Sequence, residues 1–409
     1  MTRETLVLQV ERVGTHLLLV LLGFTTCTAF VKEAWAVQSF QIGAFALLAL
    51  GLAAGLPIGV ERSSILIPTI ILCCVPFWGL GQVWLSMTSS AAETMAAALR
   101  WGGLVAVFLV ARMVTRGGRQ RIFLEGFVWF ATALAVLSLT QMFTSGGRVL
   151  WMFESGYPEV WGTVAYRNHY AQFVELALPV ALWRAMFDRR RWWAYAAAGG
   201  ALYASVIGCA SRAGTILCTM ELLVFLGMGL GRFRNPVAGR RVREAALTLG
   251  TVPVAALVLT LVVGWERVWQ RFQEADPFAV RREFLAAAVD MAKHRPVAGY
   301  GLGTYPAVYQ SYAVMDFPFI ANQAHNDWTQ FAAEGGLPFL GMILIPFARV
   351  VPGTFRFTAS LGITAVMLHA CVDYPFPKPA VAGWLFAMLG LGYAVADERM
   401  PGTLVVPEK

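Results

Sequence analysis

The chain has 409 residues, of which 58% are hydrophobic and 14% charged, with a mean hydropathy of +0.61. Soluble domains are about half apolar and about a quarter charged, so this composition excludes an ordinary soluble enzyme. The net charge of +8 comes from arginines scattered through short loops, with no single basic domain, which excludes nucleic acid as a partner.

The apolar residues fall in runs of about 18–22, long enough to cross a hydrocarbon core as helix. The runs are continuous rather than alternating, which selects helices over a barrel. In chain order they predict spans at 13–31, 37–60, 64–86, 94–111, 122–143, 170–187, 192–210, 213–231, 245–264, 328–348, 357–373 and 380–396. The expected fold class is an all-α membrane protein with about twelve transmembrane helices. The whole chain, 1–409, reads as one polytopic membrane domain, with N-terminal helices over 1–143. The first run lacks a small-residue cleavage site and is read as a retained helix. No soluble domain is expected after the last run, and no internal repeat or low-complexity tract is evident.

Alternating the loops puts 20 of the 32 Lys and Arg on one side, including Arg112, Arg116, Arg119, Arg121, Arg184 to Arg191 and Arg232 to Arg243. That side is expected to be cytoplasmic, with both termini on it. The other side carries loops at 144–169 and 265–325, a tight turn at Ser211–Arg212 and a short loop at Asp373–Pro379. A loop as long as 265–325 is more often functional than a mere connector. It holds an amphipathic segment, Ala279–His294, and then Gly299-Tyr-Gly-Leu-Gly303, which cannot be helical throughout. The six cysteines, Cys27, Cys73, Cys74, Cys209, Cys218 and Cys371, fall in apolar runs without metal-site spacing and are read as small core residues.

Charge asymmetry predicts few arginines on the outer face, yet Arg148, Arg167, Arg212, Arg267, Arg271, Arg281, Arg282 and Arg295 map there. Arg167 and Arg212 sit at helix ends, where an arginine is costly. The planar guanidinium fork suits phosphate oxygens, so the cluster implies a di- or polyphosphate ligand. Nucleotides are scarce outside the inner membrane, whereas a lipid-linked pyrophosphate presents that group at the interface. The competing reading has the arginines snorkel or pair with Glu154, Glu159, Glu283 or Asp290.

Histidine is scarce. His16 reads as a packing residue, while His169, His325 and His369 map to the outer face. His325 opens Ala324-His-Asn-Asp-Trp-Thr-Gln. Its imidazole can accept a proton from a sugar hydroxyl, or it is a helix-entry residue with Asn326 or Asp327 as N-cap. His369 and Asp373 are four apart, so the pair orients an imidazole or satisfies a buried group. His169, His325 and His369 come from separate segments with no metal motif.

Taken together, Ser211-Arg-Ala-Gly214, Arg281-Arg282, Pro296-Val-Ala-Gly-Tyr-Gly-Leu-Gly-Thr-Tyr305, Ala324-His-Asn-Asp and Glu334-Gly-Gly resemble the O-antigen ligase/polymerase superfamily. Gly162-Thr-Val-Ala-Tyr-Arg-Asn-His-Tyr-Ala171 and the element from His369 to Pro375 resemble further motifs of its members. The ordered match runs over about 160–380, while the first five spans match only in hydropathy.

The resemblance implies a GT-C-like integral-membrane glycosyltransferase of the bacterial inner membrane, with its active site facing the periplasm. It would take a glycan from undecaprenyl diphosphate, without metal, nucleotide or other cofactor, and pass it to an acceptor hydroxyl with inversion. Besides membrane lipids, its partners would be the lipid-linked oligosaccharide donor and a glycan or lipid A–core acceptor. By motif, Arg212 and Arg281 or Arg282 would bind the pyrophosphate, and His325 would position or deprotonate the acceptor. The register before Leu285 favours Arg281. Arg167, Asn168, His169, Tyr305, Asn326, His369 and Asp373 would line the substrate cavity.

Many ligases carry a second histidine close to the one matched by His325, in the stretch before it. Its absence here tips the reading toward a polymerase, with lipid A–core ligation as the alternative and protein glycosylation behind it. A transporter or flippase would need cations through the membrane depth and symmetry between halves; here the polar residues gather at one face.

Overall fold

The computed structural model describes residues 3–59, 63–157, 159–188, 190–233, 250, 253–254, 256–258, 260–262, 264–274, 278–315, 321–350 and 359–398. Among them there is no strand, only the isolated bridges Val149–Phe153 and Trp161–Val164. Five helices open the chain: α1 (Arg3–Cys27), α2 (Ala34–Ala53), α3 (Ser63–Trp84), α4 (Ala91–Val114) and α5 (Gln120–Thr144). Then come α6 (Arg167–Phe187), α7 (Trp192–Cys209) and α8 (Arg212–Phe233). The described residues of the long loop carry three α-helices, α9 (Glu266–Phe272), α10 (Ala279–His294) and α11 (Tyr305–Val308), the last followed by a 3-10 turn at Tyr309–Ser311. The chain continues with α12 (Asp327–Ala348), α13 (Ala359–His369) and α14 (Pro379–Glu398).

Seven of the described helices are long and apolar enough to cross a membrane: α1 to α5, α12 and α14. The predicted spans at 170–187, 192–210, 213–231 and 357–373 also coincide with helices, α6, α7, α8 and α13. α6 is less apolar because Asn168, His169, Gln172 and Glu175 line its first half. Half of the predicted span at 245–264 lies outside the described residues, as do Arg189 and Arg234 to Arg243; the residues described between 250 and 262 are helical.

Two helices form the centre. α4 packs on α1, α2, α3 and α14, and α6 packs on α5, α7, α8, α13 and α14. Ser90 caps α4 by accepting from the Glu93 N–H at 3.4 Å, while Arg112 occupies the last turn, an arrangement that suits the helix dipole at both ends. The fully buried Arg112 donates to Thr69 Oγ1 at 2.7 Å and to the Gly59 carbonyl, tying α4 to α3 and the segment before it. Near it Arg119 pairs with Glu11, and Glu125 takes both Arg121 and Arg184. These arginines, which the loop pattern puts on one side, stand at one end of the bundle, where Arg121 and Arg184 share Glu125. The first turns of α6, α8 and α12 meet at the other.

Two expectations need correction. Cys209 and Cys218 are buried, but Cys27, Cys74 and Cys371 are exposed. His16 is also exposed, with Nδ1 2.7 Å from the Arg12 carbonyl. In both cases an apolar run does not distinguish the protein core from a face turned to lipid.

The amphipathic segment forms α10 over Ala279–His294, burying Phe284, Ala287, Ala288 and Met291 at helical spacing. Beyond it the chain interlocks with a break in α12. Gly336 has φ 75° and ψ 175°, outside helical space and open essentially only to glycine. A Cβ there would sit 2.1 Å from the Val297 carbonyl oxygen, and one at Gly299 would sit 2.3 Å from the Glu334 backbone. Backbone groups freed by the break find partners in the glycine loop: Leu337 N–H donates to Pro296 at 2.7 Å, Tyr300 N–H to Ala333 at 3.0 Å and Gly301 N–H to Glu334 at 2.9 Å. Gln82 donates to the Ala298 and Glu334 carbonyls, at 2.6 and 2.8 Å. The Glu334 carboxylate accepts from the N–H groups of Gly303 and Tyr305, at 2.7 and 3.1 Å. A broken helix persists in a membrane protein when its freed groups are satisfied in this way.

Candidate functional site

Asp373 is the centre of a polar cluster built from four segments. It sits in the turn after α13 and is fully buried. Its Oδ2 accepts from Asn168 Nδ2, from the Tyr166 hydroxyl at 3.3 Å and from Arg281 Nη2 at 3.4 Å. Its Oδ1 accepts from the Tyr374 N–H at 3.0 Å and lies 3.5 Å from His325 Nδ1. That last approach is ion-pair range rather than a formed hydrogen bond, and Nδ1 has no hydrogen-bond partner among the described residues.

Each contributor is held by local structure. Asn168 is in the first turn of α6, and its Oδ1 accepts from the Ser211 hydroxyl at 2.9 Å. That bond ties α6 to the turn where Ala210 adopts a left-handed φ of 52° before α8 starts at Arg212. Arg281 also donates to the Val372 carbonyl at 2.7 Å and to the Tyr166 hydroxyl at 3.1 Å. Its neighbour Arg282 lies on the exposed side of α10. His325 has φ 53°, a conformation that costs a non-glycine residue energy and that recurs at functional sites. Asn326 is the N-cap of α12, accepting from the Thr329 N–H at 3.1 Å. It also donates to the Cys371 carbonyl at 2.8 Å, and Asp327 takes the Phe376 N–H at 3.1 Å. The start of α12 is thereby fastened to the Asp373 turn.

An aromatic wall completes the cluster. The Tyr374 ring lies between His169 and His325, with both imidazoles edge-on at 4.8 Å, and stacks on Tyr166 at 6.1 Å. Lys378 Nζ stands 5.7 Å from the same ring. Burial alone would raise the Asp373 carboxyl, but His325, Arg281 and His169 outweigh it and hold the group below the usual carboxylate range. Burial, with Asp373 nearby, pushes the Tyr166 hydroxyl up, so it stays a donor.

The site residues expected from the motifs therefore divide. Arg281, His325, Asn168, His169 and Asp373 meet, with Asn326 and Arg167 adjacent in the chain. Arg212 is bonded elsewhere, to the Arg271 carbonyl at 2.8 Å and to Glu274 at 3.3 Å. Arg281 and Arg212 thus find Asp373 and Glu274 rather than the carboxylates considered for them. Tyr305 is fully buried and braces α10, its hydroxyl donating to the Phe284 carbonyl at 2.9 Å. His369 does not pair with Asp373: α13 ends there, and its Nδ1 lies 2.6 Å from Glu175 Oε1 in the bundle interior.

Sequence reasoning did not single out Tyr166, Tyr374, Ser211, Glu175 or Glu274. Tyr166, Tyr374 and Ser211 stood inside the quoted motifs without a role of their own, and the two glutamates carried no signal. Among the described residues no group of three or more His, Cys, Asp or Glu is arranged to hold a metal ion.

Residues 167–345 match a family model described as O-antigen ligase. That stretch is similar to the O-antigen ligase family, in keeping with the resemblance that the ordered motifs carry. The matched stretch contains Arg167, Asn168, His169, Arg212, Arg281, Arg282, Tyr305, His325 and Asn326, and ends before His369 and Asp373. No curated protein matches the chain.

Proposed function

We propose that this protein is a glycosyltransferase of the bacterial inner membrane whose site faces the periplasm. It transfers a glycan from undecaprenyl diphosphate to an acceptor hydroxyl. The observation that carries this reading is the convergence of Arg281 and His325 on the buried Asp373, within and beside a domain of the O-antigen ligase kind.

His325 Nδ1 faces Asp373. A proton held on that nitrogen leaves the Nε2 lone pair for the acceptor hydroxyl. The acceptor oxygen then bonds to the anomeric carbon as the bond from that carbon to the diphosphate oxygen breaks. The electron pair leaves with the diphosphate, where arginine forks stabilise the developing charge, and the proton passes to Nε2. One displacement inverts the anomeric centre. No step calls on a metal.

The acceptor in our reading is a second lipid-linked repeat unit, because the stretch immediately before His325 has no second histidine. The alternative acceptor is lipid A–core, as the description of the matching family names a ligase. Purified protein given only undecaprenyl-diphosphate repeat units tests this. A ladder of longer glycans on lipid is the expected product. Transfer only when lipid A–core is added replaces polymerase by ligase. Transfer in neither mixture contradicts the function.

A further inference from the structure

Away from the Asp373 cluster, two outer-face arginines share one carboxylate. Glu274 Oε1 takes Arg271 Nη1 at 2.6 Å, and Glu274 Oε2 takes Arg212 Nη2 at 3.3 Å. Arg212 is held further by Nη1 on the Arg271 carbonyl at 2.8 Å and by the Phe278 ring, 5.4 Å beneath its guanidinium carbon. Arg271 Nε is buried without a hydrogen-bond partner among the described residues. The arginine side chains are 17% and 34% exposed, and Glu274, at 38%, is the most accessible of the three. The geometry is two guanidinium groups closed on the two oxygens of one anion, with a donor to spare. The anion in place is a solvent-exposed side chain.

We propose that Glu274 is a displaceable stand-in for the donor's diphosphate, and that Arg271 is a further phosphate ligand beside Arg212. This rests on the diphosphate-donor reading above. Without donor, the carboxylate neutralises two like charges and keeps their forks aimed at a common point. A diphosphate offers more charge and more oxygens than one carboxylate, so it displaces Glu274 and takes both arginines bidentately. The arrangement lowers apparent affinity by the fraction of time that the clamp is open, and it disfavours weaker anions such as single phosphodiester headgroups.

The test is binding of inorganic pyrophosphate and of geranylgeranyl diphosphate to the full chain in detergent, with phosphatidylglycerol as comparison. If the carboxylate closes the clamp about nine-tenths of the time, Glu274→Gln tightens both diphosphates about tenfold. Glu274→Ala should match it, guarding against a fault particular to the amide. In the Glu274→Gln background, Arg271→Gln should then weaken binding about ten- to a hundredfold, the effect of losing a charge-assisted contact. Were Arg271 merely a tether for Glu274, that second substitution would change nothing, and the phosphate-ligand assignment would be overturned. Unchanged affinity in both Glu274 variants, with binding still lost in Arg212→Ala, overturns the stand-in alone. Equal tightening for phosphatidylglycerol overturns selectivity for a diphosphate. Absence of diphosphate binding in the wild type and in both Glu274 variants overturns the donor reading itself.

Discussion

Asp373 has no exposure to solvent and is charged, which is tolerable only because Arg281, Asn168, Tyr166 and the Tyr374 N–H surround it. Its depressed titration makes stability pH-dependent. A carboxyl lowered on folding stabilises the fold fully above the usual carboxylate range, near pH ~4. That contribution is lost as the pH falls toward its folded value. Melting curves from pH 7 down to pH ~3 should therefore drop more steeply for wild type than for Asp373→Asn; parallel curves would deny Asp373 its charge. Position on α10 separates the two adjacent arginines. Arg281→Ala should slow transfer about ten- to a hundredfold, with partial rescue by lysine. Arg282→Ala, changed on the exposed side, should stay within about threefold of wild type, a change worth less than about 1 kcal/mol. Equal losses would break the assignment. Register before Leu285 already favoured Arg281 in the sequence. That His369 serves Glu175 and not Asp373 was illegible there, because helical spacing of four residues presumes a helix, and α13 stops at His369.

At the scale of elements, the glycine loop and the broken α12 act as one piece. Glu334 and Gln82 hold the loop by its backbone, and Tyr305 carries that hold to α10 through the Phe284 carbonyl, one turn from Arg281. Gly336→Ala should cost at least about 1–3 kcal/mol from backbone strain alone, read as a lower melting temperature. It should also reduce transfer, because the arginine-bearing helix loses its brace. A stable, fully active Gly336→Ala would disconnect the loop from the site. The sequence marked this region by its glycines and by Ala279–His294, whose apolar spacing translated directly into α10. It could not show that Glu334-Gly-Gly and Gly299-Tyr-Gly-Leu-Gly303 face each other, since a contact between segments more than thirty residues apart leaves no periodic trace. Propensity and hydropathy report on one element at a time.

Across the whole molecule, hydropathy located the seven described helices that are long and apolar enough to cross a membrane, because lipid imposes a length and a composition on such helices. α6 was legible as helix though its first half is polar, and the first two of those polar residues, Asn168 and His169, reach the site. The bundle has a chemical direction: Arg112, Arg119 and Arg184 stand at one end of their helices and segments, while Asn168, Arg212 and Asn326 stand at the opposite end. Our reading makes the second end periplasmic. Single cysteines near Glu274 and Ser311, in a background lacking the exposed Cys27, Cys74 and Cys371, should react with an impermeant reagent in intact cells stripped of their outer membrane. Reaction only after permeabilising the inner membrane would reverse the orientation. The central claim is that His325, left-handed and beside Asp373, moves the acceptor's proton. Single-turnover transfer from a defined undecaprenyl-diphosphate glycan by wild type, His325→Ala and His325→Gln tests it most directly. A positioned base contributes about 10²–10⁴-fold, so both variants should bind donor and fall by at least about a hundredfold. Wild-type rates in His325→Ala, or a fast His325→Gln beside a slow alanine variant, would contradict it.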